Sequence, residues 1–600
     1  MLLRKTFALL LLGTILLPGF AVAQQTAPAA PQKSDAEILI DKMKDEGLNR
    51  SQVMQTLSYL SDVIGPRLTA SPGMKRANDW TKDTLTKFGL ENAHLEAWGP
   101  FGRGWSLKRF YAMVDGPTAF PLIAYPKAWT PGTDTLFPAP TAATAAPVGK
   151  KGKAKAAAPA APAAPTSTAY TAEVVHFTAT NEAELEQYKG KLKGKIVLVG
   201  PLREIKAHFE PEGTRETEKE LLAMADAPDP NAPRRAPQGP PNAAFAAFQQ
   251  QAQFNGRRLR FLSEEGAAIL IDGARGDGGT IFVQQATAVQ APPPAAGQQA
   301  VPAVRLYDKA ANIPVQISAA GEHFNRVARM VDAGENVKMT IDLAVEYQDQ
   351  DLNGYNTIAE IRGSDLKDEI VMLGGHLDSW QAGTGATDNG AGCAVMMEAV
   401  RIITALGLKP RRTIRIALWT GEEQGLLGSR EYVKKHFGYF GDTPAPLFGG
   451  GGGGGGGQGG QAAAPLKLTT LPEYEKFSAY FNIDNGTGKI RGVYMQGNEG
   501  VRSTFRNWLT PFRDMGATTL TLANTGGTDH LAFDAIGLPG FQFIQDTIEY
   551  DSRTHHSNMD VFDRIQADDM KQISIIVAAF VYQTAMMDGK MPRKPQPGAR

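Results

Sequence analysis

The stretch Ile370-Val371-Met372-Leu373-Gly374-Gly375-His376-Leu377-Asp378-Ser379 decides the fold. Its first four residues are all apolar and read as a strand buried on both faces, the pattern of a parallel sheet covered by helices. The chain then passes through two glycines to a histidine and an acid. Downstream, the same texture repeats. Asp388-Asn389-Gly390 opens a helix over 392–406, with Val395, Met396, Ala399, Ile402 and Ile403 on its apolar face. Strands are expected at 413–419, 479–484, 492–495 and 540–544, and a helix at 570–587 closes the alternation. From about Val345 onward this predicts an α/β sheet with helices on both faces.

Composition sets the outer limits. Six hundred residues exceed one ordinary domain, and 42% hydrophobic against 21% charged residues allows a sizeable core. Lys+Arg and Asp+Glu are both 62, so the net charge is zero, which excludes nucleic-acid binding by bulk charge. Cys393 is the one cysteine, so no intramolecular disulfide and no cysteine-built metal finger can form. Arg4 and Lys5, the apolar run from Phe7 to Phe20, and Ala21-Val22-Ala23 read as a cleavable export signal. No later stretch approaches a membrane span. The expected location is secreted or periplasmic, with no membrane and no nucleic acid as partner.

The expected organisation is a signal peptide at 1–23, a linker at 24–33, the N-terminal part of the main domain at 34–115, an insert at 116–344, the main domain at 345–590 and a tail at 591–600. Within 34–115, Leu57, Leu60, Val63 and Ile64 form a helical stripe stopped by Gly65-Pro66, and 77–88 is a second helix. The insert carries short strand-like segments at 172–177, 195–199, 267–271 and 280–284, so it is expected to be β-rich. Ala/Pro-rich stretches at 138–168, 227–251 and 286–299 are too poor in apolar surface to order themselves. The run Gly449–Gly457, within a Gly-rich loop at 446–465, is expected to be a surface loop without chemical duty.

In open α/β sheets ligands bind beyond the carboxyl ends of the strands. Those positions hold His376 and Asp378, then Glu422 and Glu423 after Trp419, then Asp484, and finally His555 and His556 in the loop after 540–544; Asp388 sits at the helix start. Two histidines and three carboxylates can hold two divalent ions when one carboxylate bridges, and such a pair can clamp a shared hydroxide and polarise a carbonyl. One acid of the Glu422-Glu423 pair is then free to act as general base. Nitrogen and oxygen ligands without sulfur suit zinc. Asp378 is placed to accept the second ring N–H of His376. Spacing does not choose between His555 and His556. His530, on the Gly-rich loop 526–530, is a candidate for the pocket wall, and Cys393 is a small core residue. No Gly-x-Ser-x-Gly motif and no P-loop is present.

These segments, together with Gly385-Ala386-Thr387-Asp388-Asn389-Gly390 and Leu418-Trp419-Thr420-Gly421-Glu422-Glu423, resemble the co-catalytic zinc exopeptidases of metallopeptidase family 28, clan MH. The resemblance implies a central mixed β-sheet flanked by helices, two zinc ions per chain, and a role for each matching residue. His376 and Asp484 would hold one zinc, Glu423 and His556 the other, and Asp388 would bridge them across a cis peptide to Asn389. Glu422 would be the base and Asp378 would orient His376. The insert is similar to a protease-associated domain at Gly194-Lys195-Ile196-Val197-Leu198-Val199. The implied activity is hydrolysis of short peptides or dipeptides by a metal-bound hydroxide, with a homodimer allowed. The competing readings are an aminopeptidase of the same family on longer peptides, a glutaminyl-cyclase-like acyltransferase, and a receptor-like module without catalysis.

Overall fold

The computed structural model describes residues 33–137, 168–232, 243–292, 302–443 and 467–594. The expected signal peptide, most of the linker, nearly all of the 138–168 stretch and the whole of the Gly-rich loop at 446–465 lie outside the described residues.

The decisive strand runs from Leu366 to His376. Val371 and Leu373 enter one core with the helices Ala391–Ala405 and Ala567–Met586, and Ile370 and Met372 enter a second core on the opposite face with Tyr432, Phe437 and Phe533. Alternation within one apolar run thus feeds both layers, which is why the strand carries no polar residue from 370 to 373. The sheet has eight strands in the order Glu91–Trp98, Gly354–Ile361, Arg412–Trp419, Leu366–His376, Phe477–Asn482, Gly540–Gln545, Ile490–Tyr494, Thr519–Thr521. The four strands from Arg412–Trp419 to Gly540–Gln545 are parallel, while the pairs at 91/354, 354/412 and 490/540 are antiparallel. The sheet is therefore mixed, and its four central strands end on one edge.

The insert forms a second eight-stranded sheet that begins with Gly104–Gly116 and ends with Lys338–Gln348. These long strands pair from Gly104↔Gln348 to Gly116↔Lys338, so the sheet extends outward on both sides of the expected 116–344 boundaries. The insert is also less purely β than expected. Its strands Tyr170–Phe177, Ile196–Val199, Ile269–Gly273 and Val315–Ala319 are parallel, with helices between them. One of these is Ala243–Glu264, which overlaps the stretch expected to stay unordered. Ala is the best helix former, and Phe254 and Leu262 anchor the helix by burial. Segment 280–284 is no strand; it makes a single bridge instead, Phe282 to Ser557, and Gln285 just beyond it bridges Ala128. In the first domain the helix Val53–Ser58 continues as a wider turn, Tyr59–Ile64, which leaves Val63 exposed while Leu57 and Leu60 are buried.

Just after that helix stands Arg67, fully buried. Its Nε donates to Leu377 O at 2.7 Å, Nη2 to Gly385 O at 2.7 Å, and Nη1 to Thr384 O, Gly65 O and Leu60 O at 2.9, 3.1 and 3.2 Å. One guanidinium thus ties the first domain's N-terminal part to the loop between His376 and Asp388. Arg67→Met should destabilise the protein by roughly 3 kcal/mol or more, because it orphans several buried carbonyls. Chemical denaturation of the two proteins measures this.

Candidate metal centre

His376 is the last residue of its strand, and its buried ring places Nε2 3.2 Å from Asp388 Oδ1 and 3.2 Å from Asp484 Oδ1. Asp388 lies in the irregular turn Ala386–Gly390, and the Asp388–Asn389 peptide is cis. Asn389 locks that turn by donating to Ile483 O at 2.7 Å and accepting from Gly392 N at 3.0 Å. Asp388 Oδ2 faces His556, whose Nε2 lies 3.1 Å away and 3.0 Å from Glu423 Oε2. Glu422 is buried, with Oε2 4.0 Å from His376 Nε2. The strand ends and one turn thus bring His376, Asp388, Glu422, Glu423, Asp484 and His556 together.

Asp378 acts differently from the expectation. His376 Nδ1 lies 3.0 Å from the main-chain oxygen of Asp378, whereas the carboxylate is 3.7 Å away. That carboxylate instead accepts from Glu422 N and Glu423 N, both at 3.3 Å, and from Thr69 Oγ1 at 3.1 Å. It therefore shapes the turn that aims the Glu422-Glu423 pair inward. His555 stays at 3.8 Å from Asp388 Oδ2, its ring stacked on Tyr550. His530 is buried against Gln496 and Thr525 O and makes no pair with the set. Arg553 is spent on Glu212 of the insert. The thiol of Cys393 is buried and donates to His376 O at 3.0 Å.

Three residues that the sequence did not single out complete the surroundings. Asp560 accepts from Thr387 N at 2.5 Å, Thr387 Oγ1 at 2.7 Å and Asp388 N at 3.3 Å. Asp529 is fully buried, with neither carboxylate oxygen hydrogen-bonded. Gln284, from the insert, puts its side-chain nitrogen 3.0 Å from His556 Nδ1. Only Asp560 carried a visible signal, as an acid four residues past His556.

The electrostatics are those of too much negative charge in too little water. Burial pushes Glu422 well above the ordinary carboxylate range, and burial together with Asp388 raises Glu423 to about 8. Burial alone would lower both histidines, yet Asp484 and Glu422 hold His376 well above its usual value, and Glu423 and Asp388 lift His556 to about 10. Burial raises Asp529 to about 7 and, with Asp388 adding to it, Asp560 to about 7.

The donor set fits divalent cations. Asp388 Oδ2 and Glu423 Oε1 are buried without a hydrogen bond. The N···O separations of 3.0–3.2 Å match the edge of a tetrahedron around an ion with ligands at about 2.0–2.1 Å, roughly 3.3 Å. The insert holds another His/acid group, His208, Glu212 and Asp277, but there Arg553 already neutralises Glu212.

Residues 356–581 match the profile of Peptidase family M28. Carboxypeptidase Q of Mus musculus is 28% identical over 273 residues, 45% of this chain and 50% of that protein. Carboxypeptidase Q of Xenopus laevis is 43% identical over 116 residues, 19% of this chain and 24% of that protein. The chain spans about half the length of the mammalian relatives it matches. The crystal structure of a Peptidase M28 precursor from Shewanella amazonensis SB2B superposes with a TM-score of 0.58 at 21% identity, covering 94% of this chain and 99% of that one. The likeness shows a shared fold across both domains.

The raised values give a pH dependence with a definite sign. Glu423, Asp529, Asp560 and His556 all hold protons in the folded state at pH values where the unfolded chain has released them. Their stabilising protonation is complete below the ordinary values of 3.8–6.5 and is lost as pH rises through about 7–10. Protein stripped of metal should melt at progressively lower temperature from pH 5 to pH 9. A saturating divalent cation, which replaces those protons as the compensating charge, should flatten the slope. Thermal melts with and without chelator check this.

Proposed function

We propose that this chain, whose residues 356–581 match the profile of Peptidase family M28, is an exported two-zinc exopeptidase acting on short peptides. The observation that carries the reading is a division of labour among the acids. Asp388, Glu423 and Asp484 pair directly with the two histidines, while Glu422 stands apart from them, buried at the same edge. In this reading His376 and Asp484 hold one ion, Glu423 and His556 the other, and Asp388 faces both. Zinc held there would supply a Lewis acid for the scissile carbonyl and lower the pKa of water.

The chain's own residues would do the rest. Glu422 takes the proton of the attacking water on its carboxylate oxygen and returns it to the nitrogen of the leaving amine. Asp378 keeps Glu422 in place through its main-chain N–H. The insert closes one side of the edge. Its residues 281–284 lie against 556–558, and Gln381 Nε2 donates to Pro126 O and Gln284 O at 3.0 and 3.2 Å. A wall so near the centre favours small, unblocked substrates, dipeptides above all. The apolar run from Phe7 to Phe20 supports export, and no described helix is long and apolar enough to cross a membrane.

Glu422→Gln should keep two equivalents of zinc and the fold while lowering turnover by about 10²–10⁴. Elemental analysis beside kinetics separates a base from a ligand, since loss of metal would make Glu422 a ligand. Product analysis on free dipeptides, N-blocked peptides and long C-amidated peptides tests the substrate. Cleavage of dipeptides with little action on long chains is expected; stepwise release from the N-terminus of long amidated peptides would make the enzyme an aminopeptidase.

A further inference from the structure

The loop that carries His556 is held from outside its own domain. Val283 N donates to His556 O at 3.0 Å, Phe282 bridges Ser557 in antiparallel fashion, and Ile281 N donates to Asn558 Oδ1 at 2.7 Å. His556 itself has φ +63°, in the left-handed region that few non-glycine residues adopt. Gln284 ends this seam. Its main-chain oxygen accepts from Ala128 N at 3.0 Å and from Gln381 Nε2 at 3.2 Å, which fixes its backbone from both domains. Its side-chain amide then lies 3.0 Å from His556 Nδ1. The His556 ring is thus spanned: Nε2 points at Asp388 and Glu423, Nδ1 meets the insert, and the Trp380 ring stands edge-on with centroids 6.0 Å apart.

The geometry points to Gln284 as the positioning residue for His556, by which the insert domain sets the affinity of one of the two metal positions. The inference rests on the metal-centre reading above. Its chemistry follows from the imidazole. When Nε2 gives its lone pair to a cation, the ring hydrogen must sit on Nδ1, and the partner there must accept. A glutamine amide offers an acceptor and a donor of nearly equal size, so a half-turn about its last bond presents Oε1 in the place of Nε2. Gln284 Oε1 can therefore accept from the Nδ1–H of the metal-bound ring at the place where the amide nitrogen now lies. It acts from across the domain boundary, 272 residues away in sequence.

Two full-length variants test this, with zinc affinity read by competition against a chromophoric chelator. Gln284→Leu removes both hydrogen-bonding ends and should weaken one of two zinc equivalents by about tenfold while leaving the other unchanged. Gln284→Glu keeps a permanent acceptor and should bind as tightly as wild type or tighter. Equal affinity of Leu and wild type would overturn the inference, as would a loss in Glu matching that in Leu. The metal-free melting temperature monitors folding; should Leu lower it, the Glu variant alone decides, retained affinity supporting the assignment and a tenfold loss overturning it. A wild-type chain that takes up no zinc would overturn both the inference and the reading of the centre, which separates the two failures.

Discussion

Asp378, Asp388, Glu422, Glu423, Asp484, Asp529 and Asp560 converge on one edge of one sheet, largely out of water. Two like charges 4 Å apart repel by about 4 kcal/mol at an effective dielectric of 20. Two histidines and Arg67 cannot offset such a set. The fold meets the constraint in three ways. Some acids are given main-chain donors, as Asp378 by the Glu422-Glu423 turn and Asp560 by Thr387. Others hold protons that a carboxyl would ordinarily release. The rest, with oxygens on Asp388 and Glu423 left unbonded, are arranged at separations that a small divalent cation spans. A cation held here would serve folding and chemistry together, because the charge that would polarise a substrate is the charge that would make the edge tolerable.

Much of this was legible in the sequence, for a physical reason. A strand buried on both faces must be apolar over its whole length, so Ile370–Leu373 announces itself, and the acids that follow stand out because nothing at a strand end requires them. Parallel strands share a direction, so residues just past their carboxyl ends must share an edge, however far apart in sequence. His376, Glu422, Glu423 and Asp484 follow from that rule alone. What escaped was whatever acts by tertiary contact without a local pattern. Arg67 reads as one more cation until its buried carbonyl partners are known. Gln284 lies on a segment that looks like a strand by composition, and its partner is a turn in another domain. The spacing His-x-Asp does bring Asp378 to the imidazole, through its main-chain oxygen, while the carboxylate turns to the next loop. The helix Ala243–Glu264 escaped because its alanines look like linker, whereas two buried side chains suffice to recruit them.

The insert leaves the first sheet after Trp98 and returns at Gly354, two residues that face each other in the edge pair. Its two roots are thereby fixed side by side at one margin of the sheet, and Trp98 Nε1 donates to Thr420 Oγ1 at 2.9 Å, two residues before Glu422. Beyond the roots, Phe101, Trp129, Tyr307 and Trp380 pack into one apolar cluster that joins both domains. The far contact is the seam of 281–284 with 556–558. The insert is thus held at its base beside the acids and at its tip beside His556, and it spans the edge between them. The strand ends of one domain carry the acids, while the insert's 281–284 segment lies against the loop that carries His556. Because the tip contact also bears on His556, a change in the insert that alters which substrates enter would at the same time alter how firmly the ring is aimed. On the proposed reading, selectivity and metal affinity would therefore be coupled through that one loop.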